Sequence, residues 1–287
     1  MTAAPAISPS ISPERRFALG IGLTNECNLS CSFCYRDPTR VDRLNLGQVR
    51  AVLDALDVRP GLRCLDVGAG SGGAALLAAQ RGASVLAVDA SARMAQRIAE
   101  RAGDARPGVV QAAVMDGSAL ALKGASFDVA FSIFGVILFP DPAAALHEIG
   151  RVLNPGGRVA VVTWTEPQRY ELAARLTAAI AAVRGPQPVP TLPAQLRFRE
   201  EPAFRSLFAR AGLAVESVAV IEEPLCAPSA RSLAERLAFA PGLTAWLDAQ
   251  GADRAPVIDR FAADLEQDQG LGPVSLMTVA FLGIACR

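Results

Sequence analysis

Cys64-Leu65-Asp66-Val67-Gly68-Ala69-Gly70-Ser71-Gly72-Gly73 is the stretch from which the rest of the chain is read. Residues 64–67 read as a short buried strand, and the run then ends in glycines. Glycine lets the backbone turn sharply and lets a ligand touch main chain with no Cβ in the way. Ala74 to Gln80 reads as a helix, so the glycines join a strand to a helix. Gly68, Gly70 and Gly73 match GxGxxG, the pattern of dinucleotide folds. Asp89 ends the next strand, 21 residues after Gly68, where a carboxylate can accept both hydroxyls of a ribose.

The same alternation extends outward. Leu46, Val49, Val52, Leu53 and Leu56 recur at helical spacing, with Asn45 as cap and Gln48 placed as in a capping box. Pro60-Gly61 is a turn. Strands are expected over 84–88, 109–114, 127–133 and 159–163, and helices from the cap Ser91 to about 102 and over 142–153. The second of these helices stops at Asn154-Pro155-Gly156-Gly157. This rhythm predicts a parallel sheet with helices on both faces. Beyond it come an Ala-rich helix over 170–183 and a loop over 185–193 with four prolines. A helix over 202–211, a strand over 214–221, two or three short helices and a last strand over 274–285 complete the chain.

At 287 residues the chain suits one large domain, or one domain with a short appendage. Hydrophobic residues at 51% and charged residues at 20% exclude a wholly disordered chain. Lys+Arg and Asp+Glu both number 28, which lowers the rank of a nucleic-acid binder, since that class carries surplus positive charge. No apolar run reaches the ~18 residues of a membrane span. The Ala-, Ser- and Pro-rich start reads as a disordered tail. Arg15-Arg16-Phe17 faintly resembles a twin-arginine signal, but the apolar stretch after it is too short. A cytoplasmic location is expected, where six cysteines are ligands or core thiols rather than disulfides.

Four motifs carry a resemblance. Leu65-Asp66-Val67-Gly68-Ala69-Gly70-Ser71-Gly72 resembles motif I of the class I S-adenosylmethionine (SAM)-dependent methyltransferases. Asp116-Gly117 follows the third strand, Phe127-Asp128-Val129-Ala130-Phe131-Ser132 matches the fourth motif, and Arg151-Val152-Leu153-Asn154-Pro155-Gly156-Gly157 matches the family's RVLxPGG turn. The order and spacing are similar to the ubiquinone/menaquinone C-methyltransferase-like branch. The resemblance implies a Rossmann-like α/β fold, doubly wound, with seven strands in the order 3-2-1-4-5-7-6, the last strand antiparallel, and helical insertions. It implies a tail and Cys-rich segment over 1–40 and a methyltransferase domain over 41–287, with core 60–165 and a substrate-side insert over 166–213. It implies an enzyme moving a methyl group from SAM to an O, N or C atom of a small-molecule partner.

The resemblance also assigns roles. Asp66 lies near the methionine end of SAM, Gly68 and Gly70 bring main chain close to it, and Asp89 holds the ribose. Asp116 accepts from the adenine amino group and Gly117 offers a backbone N–H to the ring. Ser132 and Phe134 line the mouth at the end of the fourth strand. In-line alignment alone can accelerate methyl transfer, so no catalytic side chain has to exist. His147, the sole histidine, lies mid-helix and reads as a surface or structural residue. Trp164, Phe139 and Phe198 could line an acceptor pocket or simply pack in the core.

Cys27, Cys31 and Cys34 form CxxxCxxC, a spacing in which three thiolates ligate a 4Fe-4S cluster and leave one iron open. Residues 17–40 resemble the radical-SAM signature, but no barrel follows. The segment therefore reads as an iron–sulfur appendage, as a fusion relic with free thiols, or as a zinc site short of a fourth ligand. Cys64, Cys226 and Cys286 read as small buried hydrophobes. An iron–sulfur hybrid and a nicotinamide-binding protein stand as alternatives to the methyltransferase.

Overall fold

A strand buried along nearly its whole length belongs in the middle of a sheet, and β1 (Arg63–Val67), with only Arg63 exposed, is the third of seven strands. The computed structural model describes residues 46–104, 106–165, 169, 171–185, 196–237, 247 and 250–287. In chain order, α1 (Leu46–Ala55) precedes β1, and α2 (Gly73–Gln80), β2 (Ser84–Asp89), α3 (Ala92–Arg101), β3 (Val109–Val114) and β4 (Phe127–Ile133) follow. The second half holds α4 (Pro142–Val152), β5 (Leu153–Trp164), α5 (Glu171–Arg184), α6 (Glu201–Arg210), β6 (Ala214–Ala227), α7 (Ala230–Leu237), α8 (Arg254–Gln269) and β7 (Val274–Cys286). The sheet order is β3-β2-β1-β4-β5-β7-β6. The first five strands are parallel, and β7 is antiparallel to both β5 and β6. This is the order that the resemblance implies.

Local chemistry sets the helix boundaries. Ser91 caps α3, its Oγ accepting from the Met94 N–H, and Met94, Ala95 and Ile98 form the buried stripe. Asp141 caps α4, one carboxylate oxygen accepting from Ala143 and Ala144 at 3.0 Å each, with Pro142 in the first turn. Asn45 lies outside the described residues. Gln48 is fully buried, and its amide makes no hydrogen bond among the described residues.

Two of the recognised motifs fasten the sheet. Asp128 accepts from the Arg63 backbone N–H and from the Asn154 amide, both at 2.8 Å, tying the start of β1 to the turn that opens β5. Arg151 is a larger clamp. Its guanidinium pairs with Glu148 at 2.8 Å and donates to the carbonyls of Leu120 and Leu122 at 2.9 Å each, while Glu148 accepts from the Leu120 N–H. The loop between β3 and β4 is thus held onto α4.

β6 is longer than the sequence suggests. It runs to Ala227, six residues past the expected end at Ile221, and it passes through Pro224. An edge strand has a free side on which a missing N–H costs nothing, so the proline is tolerated there. The far ends of β6 and β7 rise past Trp164 and carry a second core of Leu172, Leu176, Leu233, Phe261, Leu265 and Leu276, built with α5, α7 and α8. Of the three cysteines expected in the core, Cys64 is buried. Cys226 is exposed on edge strand β6 and Cys286 is half-buried. That corrects the expectation: Cys226 stands on an exposed position of edge strand β6, and Cys286 is the last residue of β7.

Arg151→Ala should cost about 2 kcal/mol in urea unfolding, since it strands two carbonyls and the Glu148 carboxylate. Amide exchange at Leu120 should quicken more than exchange in β1.

Candidate active site

At the carboxyl end of the sheet, β1 turns into the glycine loop. The N–H groups of Gly68 and Ala69 both donate to the Val88 carbonyl, at 3.0 and 3.1 Å, which fastens the loop to the end of β2. Gly70 has φ +55°, and a Cβ there would meet nothing within 4 Å, so its outer side is open. A side chain at that φ is strained, while glycine leaves main chain facing free space.

Asp89 closes the loop. One carboxylate oxygen accepts from the Gly70 N–H at 2.8 Å and the other from the Ser91 N–H at 2.9 Å. Burial raises its pKa, and these two N–H groups pull it back down. Each oxygen keeps a lone pair for a further donor.

Asp66 sits behind the loop and is 2% exposed. It accepts from the Ala75 N–H in the first turn of α2, and its Oδ2 has no hydrogen-bond partner. Burial, and then the neighbouring Asp89, push its pKa up to about 8. The Cys64 thiol nearby is pushed up to about 12, by burial and then by Asp128 and Asp66, which makes it an inert core thiol.

The loops after β3 and β4 close the other side. Asp116 is exposed, and its Oδ1 accepts from the Ser118 N–H at 2.8 Å. Gly117 is buried against the Phe139 ring, where a Cβ would come within 2.5 Å of a ring carbon. Ser132, expected at the mouth, is fully buried instead. Its hydroxyl donates to the Val67 carbonyl at 2.6 Å and accepts from the Val136 N–H at 2.8 Å, so it holds the end of β1 to the turn after β4. Phe134, with φ +56°, stacks on Trp164 with ring centroids 4.0 Å apart. Phe198 packs in the main core. His147 is exposed on α4, beside Ser118 and Glu148 in a shallow depression.

The structure therefore gathers Asp66, Gly68, Gly70 and Asp89 at the ends of β1 and β2, with Asp116 and Gly117 in the loop after β3. Cys27, Cys31 and Cys34 lie outside the described residues. Among the described residues no group of three or more His, Cys, Asp or Glu side chains could hold a metal ion.

Two contributors were missed in the sequence. A Cβ on Gly135 would lie 2.8 Å from Ser132 Oγ, 2.9 Å from the Val67 carbonyl and 3.1 Å from that of Gly68. Only glycine fits there. Its place two residues after β4 was the available signal. Arg197 donates to the Phe139 carbonyl at 2.7 Å, a long-range contact with no local signature.

A methyltransferase-domain family model matches residues 65–161. The demethylmenaquinone methyltransferase of Streptomyces griseus is 30% identical over 185 residues, covering 60% of this chain and 78% of that protein. The chain belongs to the class I SAM-dependent methyltransferases. An uncharacterized Mycobacterium tuberculosis protein is 40% identical over 112 residues, 39% of this chain. The match covers 40% of the length of that relative, and 41% of the nocamycin O-methyltransferase of Saccharothrix syringae. The YcgJ protein of Bacillus subtilis shares the fold, with TM-score 0.56 and 20% identity over 84% of this chain and 98% of that one. So does the cyclase SpnF, with TM-score 0.51 and 20% identity over 83% of this chain and 79% of that one. Fold alone does not name a reaction.

Asp66 is protonated in the fold and ionised in the unfolded chain over the window between its two pKa values. Its contribution to stability is therefore full at acid pH and is lost as pH rises toward about 8. In thermal melts from about pH 5 to about pH 8, the wild type should lose stability more steeply than Asp66→Asn.

Proposed function

We propose that this protein binds SAM at the carboxyl ends of β1, β2 and β4 and transfers its methyl group to a small-molecule acceptor. The observation that carries this reading is the pairing of Asp89 with the open face at Gly70. A carboxylate with unused lone pairs stands at the end of β2, where it could accept the hydroxyls of a ribose, and bare main chain stands beside it. The orphan Oδ2 of Asp66 adds a second fit, since a buried carboxyl with a spare oxygen suits a ligand that brings a donor or a positive charge. The names of two relatives, one a quinone methyltransferase and one an O-methyltransferase, support a small organic acceptor.

In this reading Asp66, Gly68 and Gly70 face the methionine end, Asp89 takes the ribose, and Asp116 and Gly117 take the adenine. Ser132 acts through the main chain it holds. Bound SAM supplies a methyl carbon made electrophilic by its sulfonium. The protein's own share is alignment and exclusion of water, and alignment can be worth about 7–11 kcal/mol without an acid or base. Exposed on the outer side of α4, His147 is assigned no part in the chemistry.

Calorimetry with SAM, S-adenosylhomocysteine and NAD in parallel tests the reading. SAM and S-adenosylhomocysteine should bind and NAD should not; NAD binding without SAM would replace this reading with the nicotinamide one. Asp89→Ala should weaken SAM binding by about 1–3 kcal/mol, as expected for a lost hydrogen-bond acceptor that also tethers Gly70. An unchanged dissociation constant would contradict the assignment.

The CxxxCxxC spacing of Cys27, Cys31 and Cys34 supports a second, separable proposal, a 4Fe-4S cluster on the N-terminal segment. Anaerobically reconstituted protein should then be brown and bind about four irons per chain. A colourless, iron-free product would leave the three thiols without a cluster, and the methyltransferase reading would stand unaffected.

A further inference from the structure

Gln48 is fully buried, yet neither its amide oxygen nor its amide nitrogen has a hydrogen-bond partner among the described residues. A buried amide with nothing to bond is costly, and an aliphatic side chain of similar size would avoid that cost. The residue lies on the stripe of α1 that also buries Val52, Leu53 and Leu56, so it looks inward.

Its position along the sheet is set by its neighbour. A Cβ on Gly47 would fall within 2.2 Å of both Glu223 carboxylate oxygens, so the first turn of α1 rests against Glu223. Glu223 lies two residues beyond Ile221; Ile221 pairs with Ala280, and Ala280 pairs with Trp164. The first turn of α1 therefore stands at the carboxyl edge, on the β7–β6 side of the stacked Phe134–Trp164 pair. The glycine loop and Asp89 lie at the ends of β1 and β2, on the other side of that pair. Gln48 thus stands on the β6 side of the sheet's carboxyl edge, away from the loop that the methyltransferase reading gives to the adenosyl group.

Resting on the methyltransferase reading above, we propose that Gln48 is a specificity-determining residue. Its amide hydrogen-bonds a neutral hydroxyl or carbonyl group of the methyl acceptor, whose flat apolar body lies toward Phe134 and Trp164. A primary amide both donates and accepts, which matches a hydroxyl or a carbonyl. The carboxylate of Glu223 beside it disfavours an anion. Trp164, half-buried and backed by the stacked Phe134 ring, offers an aromatic side for a flat apolar body.

The test uses the full chain saturated with S-adenosylhomocysteine and three probes that share one flat ring system: naphthol, naphthoate and naphthylmethylamine. Calorimetry should find naphthol binding tightest. Gln48→Leu should weaken naphthol about tenfold while leaving the S-adenosylhomocysteine affinity unchanged and the melting temperature no lower. Gln48→Glu, nearly the same shape, should also weaken naphthol and should strengthen the amine. The proposal is overturned if naphthol does not bind, if naphthoate or the amine is preferred by the wild type, or if both variants bind naphthol as the wild type does. Failure to bind S-adenosylhomocysteine would instead overturn the methyltransferase reading, which keeps the two outcomes distinct.

Discussion

The carboxylate of Asp89 is the contact on which the upper surface of the sheet depends. It is the last residue of β2, and its two oxygens take one N–H from the glycine loop and one from the start of α3. The first donor adds to the hold that the Val88 carbonyl already has on the glycine loop, and the second lies two residues along the chain, at the cap of α3. Burial works against the charge, and the two N–H groups offset part of that penalty. A ligand hydroxyl arriving at this carboxylate would add to an interaction already in place rather than build one from disorder.

A second set of contacts governs the opposite wall. Ser132 joins the end of β1 to the turn after β4, Gly135 leaves room for that approach, and the Phe139 ring covers Gly117. Arg197 reaches in from beyond α5 to hold the Phe139 carbonyl. The wall is made from three loops, each of which is locked by another. The motif residues thus divide into two kinds. Asp66 and Asp89 are acids near the ends of β1 and β2 that keep unused oxygen lone pairs, while Asp128, Ser132 and Arg151 hold main chain in place.

Much of this was legible from local pattern. Strand and helix periods over 63–164 give the element order, because each element there buries a clear stripe between glycine- or proline-marked turns. The positions of Asp66, Gly68, Gly70 and Asp89 follow, since strand ends in a parallel sheet lie side by side. Long-range contacts were not legible. Ser132 looked like a mouth residue because strand alternation says nothing about a hydroxyl satisfied by a neighbouring strand's carbonyl. β6 runs six residues past the expected end at Ile221, and its edge position makes Pro224 harmless there. The burial of Gln48 could not be inferred, because its spacing from Asn45 reads equally as a helix cap.

The placement of β7 bears on how the molecule is assembled. β7 lies between β5 and β6, although both precede it in the chain. During synthesis, β5 and β6 emerge with their mutual neighbour still unmade, each presenting a bare row of amides and carbonyls. The second core waits as well, because Val274 and Leu276 of β7 belong to it. A nascent chain arrested before residue 274 thus carries two unsatisfied strand borders and a half-built helical lobe. Such a species exposes the strand borders and apolar surface that make folding intermediates prone to aggregate.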